Sequence, residues 1–390
     1  MKGRMISLDV FRGLTVGLMI LVNNPGSWSH IYGPLRHAKW HGWTPTDLVF
    51  PFFLFIVGVA MALSFGKRVE AGADVRDLKK KVWSRTAIII GFGLFLNGFP
   101  FNIPLNAQMA ADFEFLDIFR RFETLRFVGV LQRIGLSYLI GGLIILYFPK
   151  NRDRILSVAV LILIYEFFMR VPLIEGWGAG SFELEYNFVR YLDILILGEA
   201  HIYGGMGLPF DPEGLLSTLP AAVTLMSGFW LGEYLRRPIG HQEKLTNLTV
   251  IGIILFIAGS LLSLIEPINK QLWTVSYVIV MDGLAILMIV ISSYLIDVKK
   301  MTFWTKPAIV FGSNPLVVFV GSGIIGRLMY RIKTTDSEGA IISIKHALYN
   351  GFFVPLAGEL NGSLLFAITF ILFWLGILWY LYYKKIFVKI

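Results

Sequence analysis

Apolar runs of about 18 residues or more recur along this chain, and a segment that long and that poor in charge reads as a helix crossing a bilayer. Ten runs are found, at roughly 8–25, 46–66, 86–98 extended by its flanks, 124–148, 155–172, 214–235, 246–265, 272–295, 303–325 and 362–383. The third is short and ends in Asn97-Gly98-Phe99-Pro100. A further stretch, 340–357, is apolar but holds Lys345, His346 and Asn350, so an interfacial or re-entrant helix is expected there. Composition supports this reading. Apolar types make up 56% of the 390 residues and charged types 16%, more apolar surface than one soluble core can hide and far too much for a disordered chain. The expected fold is an all-α integral membrane protein of about ten spans, residues 1–390 forming one domain.

Charge sets the orientation. The formal net charge is +9, but the basic residues sit in short tracts between the runs, which speaks against a nucleic-acid partner. With both termini in the cytoplasm, the inner loops hold Lys2, Arg4, Lys67, Arg68, Lys79-Lys80-Lys81, Arg236-Arg237, Lys299-Lys300 and Lys384-Lys385. The inner side then outnumbers the outer side in Lys and Arg by roughly two to one, the expected bias. No A-x-A-type site follows the first run, so no cleavable leader is expected. The chain has no cysteine, which excludes disulfides, thiolate catalysis and cysteine metal sites.

The long loops, 26–45, 99–123 and 173–213, fall on the outer side, and loops of that length in a compact protein are more often functional than connective. Residues 21–51 bring Asn23, Asn24, His30, His37, His41 and Asp47 to one membrane edge. Histidine suits proton movement near neutral pH, and a neighbouring aspartate fixes its tautomer. The plainer alternative is a set of interfacial loop residues anchored by Trp28, Trp40 and Trp43. Inside the spans, Gln132, Arg133, Asp282 and Asn314 are costly in lipid and mark a passage by default. A structural pairing of Arg133 with Asp282 is the competing account. Arg12, three residues after Asp9, suits either a phosphate or a snorkelling anchor. Asp193, Asp211 and Glu213 suit hydroxyls or an amine, although helix capping alone accounts for Asp211 and Glu213. Neither a P-loop nor an H-E-x-x-H motif is present, and no metal site is expected.

Taken in order, S-L-D-V-F-R-G, V-N-N, L-R-H-A-K-W-H-G-W-T-P-T-D-L-V-F-P, V-L-Q-R-I-G, F-D-P-E-G-L-L-S-T, L-W-T-V-S-Y and G-S-N-P-L resemble the heparan-alpha-glucosaminide N-acetyltransferase family, most closely its bacterial NagX-like members. The resemblance implies a transmembrane acyltransferase of a bacterial cytoplasmic membrane, with a possible homodimer. Acetyl-CoA would be supplied from the cytoplasm and the acceptor would be a glucosamine-type amine on the far side. The family's active histidine falls on His37, with Asn23 and Asp47 as its companions. Arg12 and Arg85 would meet the CoA phosphates, and Gln132, Arg133 and Asn314 would line the path of the pantetheine arm. Asn24, Asp193, His201, Asp211 and Glu213 are the candidates for the acceptor. The lysosomal members carry an extra lumenal domain and one preceding span that have no counterpart here, which again gives ten spans. The alternative function is an amino-sugar or N-acetylglucosamine permease using the intramembrane polar groups.

Overall fold

The computed structural model describes residues 5–66, 72, 74–105, 113–171, 174–336 and 339–388. Lys2, Arg4, Lys67, Arg68 and part of the loop 99–123 lie outside the described residues. The fold is helical, with α1 Ile6–Asn23, α2 Val49–Met61, α3 Val75–Gly98, α4 Val130–Tyr147, α5 Asn151–Arg170 and α6 Phe188–Leu197 in its first half. The second half holds α7 Thr218–Arg236, α8 His241–Leu262, α9 Val275–Ser293, α10 Thr305–Ser313, α11 Pro315–Arg331 and α12 Val354–Tyr383. One two-stranded antiparallel hairpin, β1 Lys333–Thr335 and β2 Ile341–Ser343, is present among the described residues.

Six described helices are long and apolar enough to cross a membrane: Ile6–Asn23, Pro45–Phe65, Val130–Tyr147, His241–Leu262, Val275–Val298 and Ile344–Tyr383. A seventh span arises if the bent pair α10 and α11 counts as one. The other three runs read from the sequence correspond to α3, α5 and α7, of 24, 20 and 19 residues. These are long enough to span but less apolar; α3, for example, carries Lys79, Lys80, Lys81 and Arg85 in its first half. The outer helices turn apolar faces outward. Val250, Ile254 and Leu261 on α8, and Leu156, Val160 and Leu163 on α5, are exposed. Faces of this kind are stable against acyl chains and not against water.

One expectation is corrected. The run 303–325 does not form a straight helix: it breaks at Asn314, ahead of Pro315, and the halves are bent by 80°. Proline has no N–H to give the preceding turn, and the residue before it is pushed out of the helical region; Asn314 sits at φ −136 and ψ 57. The interfacial or re-entrant helix expected within 340–357 corresponds to a helical segment that starts at Ile344 and is set off from the rest of α12 by a kink at Gly358. After the hairpin, helix Ile344–Leu348 runs through a wide turn, Tyr349–Phe353, into α12, with one break at Gly358 where φ is 75.

The centre of the bundle is built on α2, which packs most extensively against α7 and also meets α4, α9 and α1. Leu54 and Phe55 on α2 and Leu225 and Met226 on α7 are fully buried. The α2–α7 contact depends on two glycines. A Cβ on Gly58 would lie 1.8 Å from Leu225 O, and one on Gly228 would lie 2.0 Å from Phe55 O. Backbones this close require a small residue on each helix, the usual device for helix association in lipid.

Candidate active site

The second span opens with a one-turn helix, Pro45–Leu48, whose first turn holds Asp47. The Asp47 side chain is 1% exposed, and His37 Nδ1 lies 2.6 Å from its Oδ1. Its Oδ2 accepts from the backbone N–H groups of Ala38 and Thr44, both at 3.0 Å, and the Thr44–Asp47 pair forms a capping box. The Tyr277 hydroxyl donates to the Asp47 carbonyl at 2.6 Å. The carboxylate is thus fixed from both sides before it meets the imidazole.

Lys270 completes the cluster. Its ammonium lies 3.2 Å from Asp47 Oδ1 and 3.0 Å from His37 Nδ1. An aspartate can only accept, so the short contact makes Nδ1 the donor to Asp47, and Lys270 directs its hydrogens to the same carboxylate. His37 Nε2 then carries the free lone pair; it has no hydrogen-bond partner among the described residues, and the side chain is 42% exposed. Burial pulls Lys270 below the ordinary lysine range, against the opposing pull of Asp47 and Glu213. The sequence offered no signal for Lys270 beyond a single cation in a short polar loop.

That loop is locked to the His37 loop. Gly42 N–H donates to Ile268 O at 2.7 Å, and Asn269 Nδ2 donates to Trp40 O at 3.1 Å. Trp40 Nε1 donates to Phe182 O at 2.8 Å, tying in the long loop before α6. At the far end of the Lys270 loop, Trp273 is fully buried with φ 54, a conformation bulky residues rarely take. It is held there by Nε1 donating to Thr224 Oγ1 at 3.1 Å and by edge contacts with Phe50 and Tyr277.

Asn23 and Asn24 end α1 and line a cavity of about 320 Å³ with Gln132, Asn97, Arg126, Arg327 and Lys345. Asn24 Nδ2 donates to Ile20 O at 3.0 Å, whereas the Asn23 amide has no partner among the described residues. Gln132 is buried with its Nε2 unpartnered. Arg126, which the sequence reading missed, forms the edge of this cavity. It grips Asp211 with Nε to Oδ2 at 2.8 Å and Nη2 to Oδ1 at 2.6 Å, and its Nη2 also meets Glu213. Asp211 and Glu213 therefore do not cap α7, which starts later at Thr218; both carboxylates meet Arg126. Asp193 is fully buried behind them: Oδ1 accepts from Leu215 N–H at 2.8 Å and Oδ2 has no partner among the described residues. Burial pushes its carboxyl up to about 7, with Asp211 adding to the rise. His201 Nδ1 donates to Leu125 O at 2.8 Å, and the ring stacks on Phe127 with centroids 4.1 Å apart.

The candidate cofactor residues are dispersed. Arg133 is fully buried and does not pair with Asp282. Its Nη2 donates to Gly214 O at 3.2 Å and to Ser217 Oγ, its guanidinium lies 5.1 Å from the Trp273 ring, and Nε and Nη1 are unpartnered. Arg12 donates to Gly312 O at 2.8 Å and Asp9 Oδ1 at 2.7 Å, joining α1 to α10. Asn314 pins the C-terminal tail, with Nδ2 donating to Ile386 O at 3.0 Å and Oδ1 accepting from Val388 N–H at 2.8 Å. Arg85 is exposed and covers the Tyr138 ring. Among the described residues, no group of three or more His, Asp or Glu side chains is placed to hold a metal.

Comparison with known proteins bears on this arrangement. Residues 4–197, which include Asn23, His37 and Asp47, match the family model for heparan-alpha-glucosaminide N-acetyltransferase, catalytic. The human heparan-alpha-glucosaminide N-acetyltransferase is 28% identical over an alignment covering 82% of this chain and 52% of that protein. The mouse protein of the same name is 27% identical, covering 83% of this chain and 54% of its own length. The chain thus spans about half the length of the curated relatives it matches. The family model and both relatives agree, and the chain belongs to the heparan-alpha-glucosaminide N-acetyltransferase family.

Proposed function

We propose that this protein is a transmembrane N-acetyltransferase that moves the acetyl group of cytoplasmic acetyl-CoA to the amine of a glucosamine-type sugar on the outer side of a bacterial cytoplasmic membrane. Residues 1–390 act as one catalytic domain of ten spans with both termini inside. The observation that supports the reading is the 2.6 Å contact from His37 Nδ1 to a buried Asp47, whose Oδ2 also accepts two backbone N–H groups; it leaves Nε2 without a partner among the described residues on a partly exposed ring, available as a base. The names of the relatives supply the reaction class.

The chemistry follows from those atoms. A glucosamine amine is mostly protonated at neutral pH and must lose a proton before its lone pair can attack the thioester carbonyl carbon. His37 Nε2 takes that proton, the amine nitrogen bonds to the carbonyl carbon, the C–S bond breaks to release CoA as thiolate, and the second surplus proton on nitrogen passes to that thiolate. Alternatively, Nε2 itself receives the acetyl group and passes it to the amine in a second step. Asp47 holds the ring and offsets its positive charge in either route. The unengaged amide of Asn23 is suited to donate to the carbonyl oxygen as charge develops there. Arg85, at the end assigned to the cytoplasm, would meet the CoA phosphates, and Gln132 would border the arm; Arg12, Arg133 and Asn314 would support that path.

The test is reconstitution of the purified protein with acetyl-CoA and glucosamine, following CoA release for wild type and His37→Ala. The reading expects activity in wild type and its loss in the variant. Absence of CoA release with every amino sugar, together with sugar uptake into vesicles, would establish the permease instead.

A further inference from the structure

Two cations near Asn23, Lys345 buried and Arg327 half-buried, take no part in the transfer described above. Arg327 on α11 and Lys345, just after β2, both line the cavity that holds Asn23. Lys345 is 5% exposed, and among the described residues its ammonium meets only the Tyr330 hydroxyl at 2.9 Å and the ring faces of Tyr330 and Phe366. Arg327 Nη1 donates to Gly323 O, one turn back on its own helix. The charged groups acting on Arg327 are Arg121 and Arg126, both cations. Neither Arg327 nor Lys345 has an ion-pair partner among the described residues. The nearby carboxylates of Asp211 and Glu213 are turned to Arg126. The buried Nε2 of Gln132, which lines the same cavity, is also without an acceptor among the described residues.

Taking a cation out of water costs several kcal/mol unless a counter-charge meets it. A buried cation and a half-buried one, both without a counter-charge among the described residues, together with an amide donor lining the same cavity, call for an oxyanion in that cavity. We propose that Arg327 and Lys345 bind an anionic substituent of the acceptor sugar: a sulfate, phosphate or carboxylate, with Gln132 Nε2 as a further donor. The site rests on the transferase reading only in naming the sugar as the carrier of the anion. The phosphates of CoA offer the same chemistry from another source. A cavity of about 320 Å³, at the small end of ligand sites, suits one substituted sugar ring better than a nucleotide.

The experiment uses the full chain in lipid nanodiscs, as wild type, Arg327→Gln, Lys345→Gln and Arg327→Lys. Acetyl transfer is measured with glucosamine, its 6-sulfate and its 6-phosphate. Wild type is expected to favour an anionic acceptor in kcat/KM by about tenfold or more. Both glutamine variants should bring that ratio close to unity, chiefly through KM, and Arg327→Lys should keep most of it. A wild type without preference, or a preference that survives both glutamine substitutions, overturns the proposal. A second arm compares acetyl-CoA with its 3′-dephospho form. The KM ratio between them should be the same in wild type and variants, and a ratio that collapses in the variants assigns the anion to CoA and overturns the acceptor assignment. A third arm needs neither catalysis nor variants: inorganic sulfate should raise the thermal midpoint of wild type above that in chloride at equal ionic strength. No rise overturns the site. If no sugar is acetylated, the transferase reading fails, and the sulfate arm still decides whether the cavity binds an anion.

Discussion

Asp47 concentrates the chemistry of this molecule in one buried side chain that receives an imidazole, an ammonium and two backbone N–H groups. Asp47→Asn keeps the shape but removes the charge that offsets a protonated ring. It should lower kcat by about 10²–10⁴ with little change in KM, measured as CoA release at saturating acetyl-CoA. Lys270 gives the reaction an alkaline limit. Burial lowers its pKa, so its charge is lost as pH rises through a value below the ordinary lysine range. The rate should fall on that limb, and Lys270→Arg, which does not titrate there, should move the fall to higher pH. Asp193 acts on stability instead. Its folded pKa, about 7, lies above the ordinary carboxyl value, so between the two the folded state binds more protons and stability declines as pH rises. At roughly 1.4 kcal/mol per unit, the penalty reaches a few kcal/mol above neutrality. Asp193→Asn should therefore raise the thermal midpoint at pH 8 and lose that advantage near pH 4. The sequence exposed His37 and Asp47 because one 21–51 segment carries both; Lys270 escaped notice because it comes from 233 positions away and sits in no pattern of its own.

Helices were legible in this chain because lipid demands long apolar runs and closed backbone hydrogen bonds, so hydropathy alone located every one of the long helices. What hydropathy does not encode is where a helix bends. The 80° break at Asn314 and the positive φ of Gly358 leave the apolar content intact, and the wide turn at Tyr349–Phe353 changes only the hydrogen-bond register. The hairpin β1–β2 is short and largely exposed, too brief to show an alternating pattern. Close packing is readable only once neighbours are known. Gly58→Ala or Gly228→Ala should push α2 and α7 apart and cost about 1–3 kcal/mol each. Because both relieve the same contact, the double variant should lose less than the sum, as read by thermal unfolding in detergent.

At the scale of the whole molecule, the account depends on a chemical path between two compartments. The absence of cysteine makes sidedness direct to test: single substitutions Lys80→Cys and Lys385→Cys should react with an impermeant maleimide from one side, and Arg36→Cys from the other. The cavity at the end of α1 draws Arg126, Arg327 and Lys345 from distant parts of the sequence, and their meeting there is a property of the folded bundle. The most direct measurement places acetyl-CoA only inside sealed proteoliposomes and glucosamine only outside, then collects N-acetylglucosamine from the outer solution. The account predicts external product with wild type and none with His37→Ala; product that forms only when both substrates share one side, or that persists without His37, would contradict it.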